Sequence, residues 1–588
     1  MNGPDPTTSQ PVNALAVTAR ARPGLTRHLA GVFALFLGLY IATASGHLST
    51  PDEEIMFRMA EGLATRGSLA IEPIVDGAGG TFASRRGRDG REYAQYGVGN
   101  ALLAVPLYAV GAVVARMVEP ETAVRWLDFN SGALVPDSEA SPAALRGPAL
   151  VRRFAVSFQG CLLGAALAAL VWRLAFRLAG GDDAMSSGAD VARRRAIRAA
   201  WLTAVAAGAG TMMWTHARTF FSEPPTALFL LGAFLAATGG RAGTPPSHRR
   251  AFAAGAMLAG ALATRLDSLV FLPAVALTLT LRFLETAPAG ISIAATGPVR
   301  RLRFDFSAAR ATLVSPAFLR VVVATAFPVV VFALWQASFN FRHFGAVTAT
   351  AYSDQREGFH FSAPMLAGLY GFLFSAGRGI AFFSPGIVFG LLGWGALRRS
   401  RPAAAWGLAA AALCKLLVQS KWQNWSGGWD WGPRHVYVVA PLVTVCAAAG
   451  FAARPWGWRR TAAFAAVMIP AAGVQLYGTS QHPVDFHMIY YRAPMASATM
   501  RPPLAFALYQ PEQTAARADA LRKAAPEMDP ADQKDLFRRL SLAPLTDTVY
   551  IPQNSVWYRY AEMWSLGYTD NLWLRLAARA RGTEKSIP

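Results

Sequence analysis

Residues 29–54 read LAGVFALFLGLYIATASGHLSTPDEE, an apolar run that stops at three consecutive carboxylates, Asp52, Glu53 and Glu54. A run of about 20 apolar residues is long enough to cross a bilayer as a helix. A polar, Arg-bearing tail, 1–28, precedes it, and no small-residue cleavage site follows it, so the run predicts a signal anchor. Because acidic groups at a membrane boundary are costly and commonly functional, this junction is the starting point for both the fold and the function.

Composition places the chain among membrane proteins. Apolar residues make up 53% of the 588 residues and charged residues only 15%, whereas a soluble domain carries about 25% charged residues. This excludes a soluble enzyme, a disordered chain and a fibrous repeat. The net charge of +21 does not indicate a nucleic-acid partner, because the arginines fall in short clusters between apolar runs. Cys161, Cys414 and Cys446 lie inside apolar runs, which predicts small buried hydrophobes and no disulfide framework.

Further apolar runs lie at 154–178, 197–215, 223–239, 252–283, 319–338, 380–397, 402–419, 435–452 and 461–477. The run 252–283 is long enough for a hairpin pair, so the sequence predicts about eleven spans. The predicted fold class is an all-α polytopic membrane protein.

The direction of the spans follows from the basic clusters, which mark the cytoplasmic side. These clusters are Arg20/Arg22/Arg27, Arg193/Arg194/Arg195/Arg198, Arg241/Arg249/Arg250, Arg300/Arg301/Arg303, Arg398/Arg399/Arg401 and Arg454/Arg459/Arg460. All of them can lie inside only if the apolar run 98–116 does not cross, so we expect it to lie on the outer leaflet as an interfacial helix. The prediction is a cytoplasmic N-terminal tail (1–28), a membrane core (29–477) with a long first external loop (about 50–152), and an extracytoplasmic C-terminal segment (478–588).

Polar residues collect in four external loops. In the first, Asp52, Glu53 and Glu54 precede an amphipathic helical pattern over 55–69. Such acids can simply cap the N-terminus of that helix. Capping explains one acid but not two adjacent ones, so a catalytic carboxylate is also predicted here.

The second loop carries His216, Arg218 and Glu223, a base, a permanent cation and an acid. The alternative interpretation is an Arg–Glu ion pair that steadies the loop. The third places Arg378 between two glycines, where the bare backbone allows close approach and a guanidinium can grip a phosphate.

The fourth loop, 421–435, begins at Lys421, holds four tryptophans and ends at Arg434 and His435. An interfacial aromatic belt accounts for the tryptophans, but it leaves the Arg-His pair and the glycine turns unexplained. A phosphate or sugar site is the alternative, because tryptophan faces also stack on sugar rings.

Together these loops predict an external vestibule in which Asp52 meets Arg378 and Arg434. A carboxylate base beside a cationic cradle suits transfer of a sugar from a phosphate, with the base deprotonating the acceptor and the cations stabilising the departing phosphate. Because nucleotides are absent outside the membrane, we expect the donor to be a lipid phosphate.

The first loop also resembles a known superfamily. Asp52-Glu53 after the first span, an amphipathic helix, and then Tyr93…Tyr96-Gly97-Val98-Gly99 are similar to the GT-C integral membrane glycosyltransferases. The closest branch holds the bacterial aminoarabinose transferases and protein O-mannosyltransferases. The turn 221–224 resembles the second external loop of that superfamily, which carries an acid before proline.

This resemblance implies juxtamembrane helices in the first loop, a polyprenyl-phosphate sugar donor, an extracytoplasmic acceptor and a place in the bacterial cytoplasmic membrane. The resemblance also implies that Asp52 is the catalytic base and that Glu53 supports it. Relatives often read Tyr-Pro-Pro-Gly-like where this chain has Tyr-Gly-Val-Gly. A divalent metal is used by some relatives, and no ligand set in this sequence decides the matter.

The residues that the vestibule and the resemblance assign to the donor phosphate or substrate are Arg378, Arg434, His435, Glu223, His216, Arg218, Tyr96 and Lys421. Two other functions stay open. A transporter or lipid flippase also places charges near the membrane, although such folds commonly show repeats, and none is visible here. A structural membrane protein whose aromatic loops bind partners would not need Asp52, Arg378 and Arg434 together.

Overall fold

The computed structural model describes residues 23–48, 50–75, 81–129, 142–240, 244–285, 291–294, 301–304, 306–352, 361–422, 425, 427, 430–481, 560 and 569–583. The tail 1–22, Arg241, Arg300, two tryptophan-loop stretches (423–424 and 428–429) and most of 478–588 therefore lie outside the described residues.

Helices dominate the described part of the chain. They are α1 Pro23–Ala42, α2 Pro51–Arg66, α3 Val98–Val114, α4 Pro120–Leu127, α5 Ala143–Ser157, α6 Gln159–Leu178, α7 Gly181–Ser187, α8 Asp190–Gly210, α9 Met213–His216, α10 Glu223–Ala237, α11 His248–Thr264, α12 Leu272–Leu284, α13 Phe306–Leu313, α14 Pro316–Phe344, α15 Met365–Phe374, α16 Ile380–Phe383, α17 Ile387–Ser400, α18 Pro402–Ser420, α19 Val439–Thr444, α20 Ala447–Ala453, α21 Trp458–Gly478 and α22 Leu572–Ala580. Short 3-10 helices cover Leu266–Phe271 and Arg434–Val436.

Six helical stretches among the described residues are long and apolar enough to span a membrane: Gly24–Ala42, Ala143–Leu178, Leu266–Leu284, Pro316–Phe344, Pro402–Ser420 and Trp458–Gly478. Shorter apolar helices accompany them at Val98–Val114, Glu223–Ala237, Met365–Phe374 and Val439–Ala453. On α14, Val323, Phe327 and Leu334 are more than half exposed, as lipid-facing side chains are. The described residues form a mainly helical, multi-pass membrane protein, which confirms the predicted fold class apart from a few short strands, while the count of about eleven spans stays a prediction.

The bundle core lies between α1, α6, α8 and α10, where Tyr40, Trp172 and Phe234 are fully buried. The Tyr40 hydroxyl donates to the Gly208 carbonyl at 2.9 Å. The three cysteines are free, and Cys161 and Cys446 are buried, as small hydrophobes are.

Several predicted spans are broken, among them 197–215, which divides into α8 and α9. The run 380–397 divides into α16 and α17 at Pro385, which has no backbone N–H to continue a helix. Gly386 N donates instead to the carbonyl of Gly210 at 2.8 Å, and Ser384 Oγ accepts from Met212 N at 3.0 Å. The break therefore fastens this run to the end of α8. The run 435–452 divides similarly into α19 and α20.

The first external loop contains short strands that the sequence interpretation did not predict: β1 Ala70–Ile71, β2 Ile74–Val75, β3 Thr81–Phe82, β4 Ser84–Arg86 and β5 Glu92–Ala94. The antiparallel order β1-β5-β4 places Tyr93 opposite Ala70 and Arg85. The Tyr93 ring lies 4.2 Å from that of His343, so this sheet docks on the end of α14. A further pair, β6 Ile291–Ala294 and β7 Arg301–Phe304, follows α12.

The helix expected at 98–116 is α3. It packs on α2 and α5 of the same loop and exposes Leu102, Val110 and Val113. Its position on the outer leaflet stays a prediction. The glycines that precede and begin α3 have a packing reason, because a Cβ at Gly99 would lie 2.8 Å from the Ala263 carbonyl carbon. The Tyr-Gly-Val-Gly stretch thus lets α3 approach the end of α11 closely.

The described part of the C-terminal segment is fastened to the end of α1. Trp573 Nε1 and Asn571 Nδ2 donate to the carbonyls of Ile41 and Ala42 at 2.8 and 3.0 Å, and Leu572 N donates to Ala44 O at 2.8 Å. These bonds satisfy carbonyls that a helix C-terminus leaves unpaired. Helix α22 therefore lies at the same end of the bundle as the first external loop.

Candidate functional site

The three consecutive acids at the start of α2 have three different environments. Thr50 is the N-cap, with its Oγ1 accepting from Glu53 N at 3.2 Å while Glu53 Oε2 accepts from Thr50 N at 3.1 Å. This capping box uses one acid to fix the helix start. Glu54 is 1% exposed and bonds Arg58 and Arg153 at 2.9 and 2.6 Å, a set named here the Glu54 cluster.

Glu53 also connects two external loops. Its Oε1 accepts a hydrogen bond from Phe220 N at 2.8 Å, and Asn100 Nδ2 donates to Phe220 O at 2.9 Å. The backbone of the second external loop is therefore held on both sides by residues of the first. Glu53 acts on the site by fixing loop positions, in addition to capping α2.

Asp52 points instead to the fourth loop. Arg434 Nη2 donates to Asp52 Oδ2 at 2.9 Å, and the Asp52 side chain keeps 20% exposure. Arg434 Nε lies 3.6 Å from Glu223 Oε1, and its guanidinium stands 4.5 Å over the Phe221 ring. Three residues predicted from separate loops, Asp52, Glu223 and Arg434, thus come together.

The ion pairs continue inward from Glu223. Arg265 Nη1 donates to Glu223 Oε1 at 2.5 Å, Arg265 Nε donates to Asp267 at 3.2 Å, and Lys415 Nζ donates to Asp267 at 2.5 Å. We call the whole series the charge chain; in order it runs Asp52, Arg434, Glu223, Arg265, Asp267, Lys415. Positive and negative groups alternate along it, so each charge has an opposite neighbour that offsets its desolvation.

A small, partly open hollow lies along this chain. Its lining includes Glu223, Thr226, Arg265, Asp267, Phe271, Lys415, Arg434, His435, Tyr437 and Val438. Asp52 reaches the hollow through Arg434. Three cations, Arg434, Arg265 and Lys415, line this space together with two carboxylates, Glu223 and Asp267, so the excess of positive charge favours an anionic group.

Asp430 and His216 lie behind Arg434. Asp430 Oδ2 lies 3.5 Å from His216 Nε2 and 3.9 Å from Arg434 Nε, and it has no hydrogen-bond partner among the described residues. Burial raises the pKa of Asp430 to about 7, against the opposing effect of Arg434 and Arg378. The His216 ring stacks on Tyr437 with centroids 5.1 Å apart. A carboxyl that titrates near neutral pH beside Arg434 is typical of a functional site.

Arg378 is buried and does not line the hollow. Its Nη1 donates to the carbonyl oxygens of Asp430 and Gly432, the latter at 3.2 Å. Arg378 thus holds the backbone turn that carries Asp430 and leads to Arg434. The expected meeting of Asp52 with Arg434 occurs, whereas Arg378 lies one layer behind.

Two tyrosines lie near the Asp52 carboxylate. Burial and the neighbouring Asp52 carboxylate raise the pKa of Tyr96 well above its usual value, and a side-chain hydrogen bond joins the two residues. Burial also raises the pKa of Tyr352 to about 12, with Asp267 and Asp52 adding to the rise. Both phenols are therefore neutral donors close to the Asp52 carboxylate.

Two predicted site residues lie elsewhere. Arg218 pairs with Asp570 and donates to the Thr479 carbonyl oxygen, so it fastens the C-terminal segment to the second loop. Lys421 follows α18, and its carbonyl accepts from Ala363 N at 3.0 Å. Neither residue lines the hollow.

Sequence interpretation missed Arg265, Asp267, Lys415 and Asp430. The first three interrupt the apolar runs 252–283 and 402–419, and charges inside such runs are rare and usually functional, so this signal was available. Asp430 lies among the tryptophans of the fourth loop, and the sequence interpretation considered only the aromatic residues and the Arg434-His435 pair of that loop. Within the described ranges, no group of three His, Cys, Asp or Glu side chains is arranged to hold a metal ion.

Comparison with known proteins finds no matching family model and no matching curated protein. Two crystal structures of ArnT from Cupriavidus metallidurans are similar in fold. The one bound to undecaprenyl phosphate has 16% identity and a TM-score of 0.40, over 96% of this chain and 78% of that chain. The apo structure has 15% identity and a TM-score of 0.41, over 95% and 77%.

Proposed function

We propose that the protein is a GT-C-type membrane glycosyltransferase that moves a sugar from a polyprenyl-phosphate donor to an extracytoplasmic acceptor. The observation that carries this proposal is the Asp52–Arg434 pair at 2.9 Å, beside a hollow lined by Arg434, Arg265 and Lys415. A carboxylate next to clustered cations supplies both groups that the reaction needs. The acceptor is a lipid, glycan or protein that carries a hydroxyl or amine.

In the proposed reaction Asp52 takes the proton from the acceptor while the acceptor atom attacks the anomeric carbon. The bond between that carbon and the phosphate oxygen breaks, and polyprenyl phosphate leaves with both bonding electrons. Attack from the face opposite the leaving group inverts the configuration. Arg434 and Lys415 face the hollow and stabilise the charge that grows on the departing phosphate.

Other predicted residues support these two groups. Glu223 holds Arg434 and Arg265 in place, and His435 lines the same hollow. Tyr96 donates to Asp52 and orients its carboxylate. Arg378 positions the turn that carries Asp430, so its effect on the phosphate is indirect.

For the cell we propose the bacterial cytoplasmic membrane, with the N-terminus inside, the C-terminus outside and the hollow facing out. The basic clusters between the apolar runs support this orientation. A reporter fused after residue 588 is expected to be active only outside the membrane. A cytoplasmic signal would overturn the orientation.

The function is tested with purified protein in proteoliposomes that contain polyprenyl-phosphate sugar labelled in the sugar. Wild-type protein with a membrane extract as acceptor is expected to release polyprenyl phosphate and transfer the label. Arg434→Ala should lose this activity, and Arg320→Ala, which removes an exposed arginine on α14, should retain it. Label that stays on the polyprenyl phosphate in the presence of acceptor would contradict the proposal.

A lipid-linked sugar flippase is the second candidate, and one observation favours it. Asp267 and Lys415 lie within candidate spans, where transporters place paired charges. A flippase would move the intact labelled lipid between leaflets without breaking the sugar–phosphate bond. Leaflet-specific extraction of the same proteoliposomes distinguishes the two functions.

A further inference from the structure

A second cationic cluster lies at the end of the bundle opposite the hollow. Its centre is Trp456, in the turn between α20 and α21, with the guanidinium carbons of Arg198 and Arg460 at 5.8 and 5.1 Å from its ring centroid. Arg198 belongs to α8, which packs on both α20 and α21. We call Arg198, Arg460 and Trp456 the Arg198 cluster.

Among the described residues, no acid forms an ion pair with Arg198 or Arg460 of this cluster. Arg198 Nε and Nη2 are buried and have no hydrogen-bond acceptor among the described residues. The charged groups that act on Arg198 are two further cations, Arg195 and Arg460. Arg460 donates to backbone carbonyls, including Gly450 O at 3.2 Å, and these neutral acceptors leave its positive charge in place. Buried guanidinium N–H groups without an acceptor are costly, and an anionic oxygen would satisfy them.

The cluster also lies at the depth of a membrane boundary. Arg460 lies in the first turn of the candidate membrane span Trp458–Gly478, and Arg198 lies near the start of α8, whose other end, Gly210, leads to His216. Beside the cluster, Trp458 is 76% exposed, as interfacial tryptophans are, and Ile469 further along α21 is 73% exposed. The cationic cluster at the membrane boundary therefore lies next to the exposed apolar face of α21.

We propose that the Arg198 cluster binds the headgroup phosphate of an anionic glycerophospholipid, with an acyl chain lying along the exposed face of α21. A phosphate diester offers the oxygen pair that a guanidinium fork matches, and basic pockets between spanning helices suit anionic lipids. The site is separate from the hollow and does not depend on the sugar-transfer proposal.

The test uses the full chain in detergent micelles with dioleoyl phosphatidylglycerol or dioleoyl phosphatidylcholine added, and reads bound lipid by native mass spectrometry. Wild-type protein is expected to retain the anionic lipid at least tenfold more than the zwitterionic one. Arg198→Gln should lower phosphatidylglycerol retention about tenfold, the loss expected for a charge-assisted hydrogen-bond pair. Arg320→Gln, a matched change on α14, should leave retention unchanged.

Arg198→Lys keeps the positive charge but loses the planar guanidinium group, so this variant should retain an intermediate amount of lipid. It keeps the proposal testable if the Arg198→Gln protein fails to fold. Inorganic phosphate at millimolar concentration should not displace the lipid, because it lacks the acyl chain. Equal retention by wild-type and Arg198→Gln proteins, or full displacement by inorganic phosphate, would overturn the proposal.

Discussion

The Glu54 cluster and the charge chain are both built from buried carboxylates and guanidinium groups, and both begin in the first turn of α2. In the Glu54 cluster, both carboxylate oxygens accept from arginines at 2.6–2.9 Å. Around the charge chain, Asp430 Oδ2, Arg434 Nε and His435 Nδ1 have no hydrogen-bond partner among the described residues. The charge chain also borders a hollow, and Asp52 is partly exposed.

The difference separates structural from functional ion pairs. In the Glu54 cluster both carboxylate oxygens are paired and only Arg58 Nη2 lacks a partner among the described residues, so its charges serve the fold. A cluster that keeps unsatisfied polar atoms beside a hollow can bind a ligand that completes it. Neighbouring residues of one sequence motif can therefore have opposite roles, and substitutions at each should affect different measurements.

The largest effect is expected for Asp52→Asn, which removes the proposed base. Transfer from the polyprenyl-phosphate donor should fall by about 10²–10⁴-fold, the contribution of a positioned general base. The midpoint of thermal unfolding should stay close to that of wild type, as it should for Asp190→Asn, a matched change at an exposed acid. Near-normal turnover would remove Asp52 from the catalytic role.

Glu54→Gln should produce the opposite pattern. It leaves Arg58 and Arg153 buried without their carboxylate, and breaking a buried pair costs about 3–5 kcal/mol. The expected result is a lower thermal midpoint and a lower yield of folded protein, with activity per folded molecule largely kept. Glu61→Gln on the same helix removes a more exposed acid and should cost much less. A Glu54→Gln protein that is stable but inactive would contradict the structural role of the Glu54 cluster.

Arg434→Lys tests whether activity needs the planar guanidinium group with its several hydrogen-bond donors, or only a positive charge at the hollow. Lysine keeps the charge but cannot donate through Nη2 to Asp52 while Nε faces Glu223 and Asp430. We expect kcat/KM to fall about 10–100-fold with little change in thermal stability. Full activity in Arg434→Lys would show that a point charge suffices.

The smallest effect is a pH dependence that comes from Asp430. Its raised pKa of about 7 means that the folded protein holds a proton that the unfolded chain releases near pH 4. Stability should therefore fall as pH rises from about 4 to about 7, since folding binds a proton in that window. Asp430→Asn retains the acceptor for Trp431 N and should flatten this part of the curve of thermal midpoint against pH. An unchanged slope would assign the titration to another group.

The sequence predicted the helical class, most long helices and the meeting of Asp52 with Arg434, because apolar run length and charge placement are local signals. The expected meeting of Asp52 with Arg378 does not occur, since Arg378 bonds the backbone of Asp430 and Gly432. The sequence did not predict strands of two or three residues, which are too short for periodicity to show. The division of the run 380–397 into two helices could have been predicted from Pro385 alone.

The roles of individual polar residues were harder to predict. Glu53 and Arg218 resemble catalytic and substrate-binding residues in sequence, yet their partners, Phe220 and Asp570, are set by contacts between distant loops. Arg265 and Lys415 were visible as charges in apolar runs, but only their pairing through Asp267 shows that they belong to one site.

The pair between Arg218 and Asp570 has a consequence for folding during synthesis of the protein. The two residues are separated by 352 positions in the chain, so the second external loop has to wait for its partner until almost the whole polypeptide has left the ribosome. Contacts of such long sequence separation form late. During synthesis the second external loop would therefore first be fixed by Glu53 and Asn100 of the first loop, and its contact with the C-terminal segment would be added last.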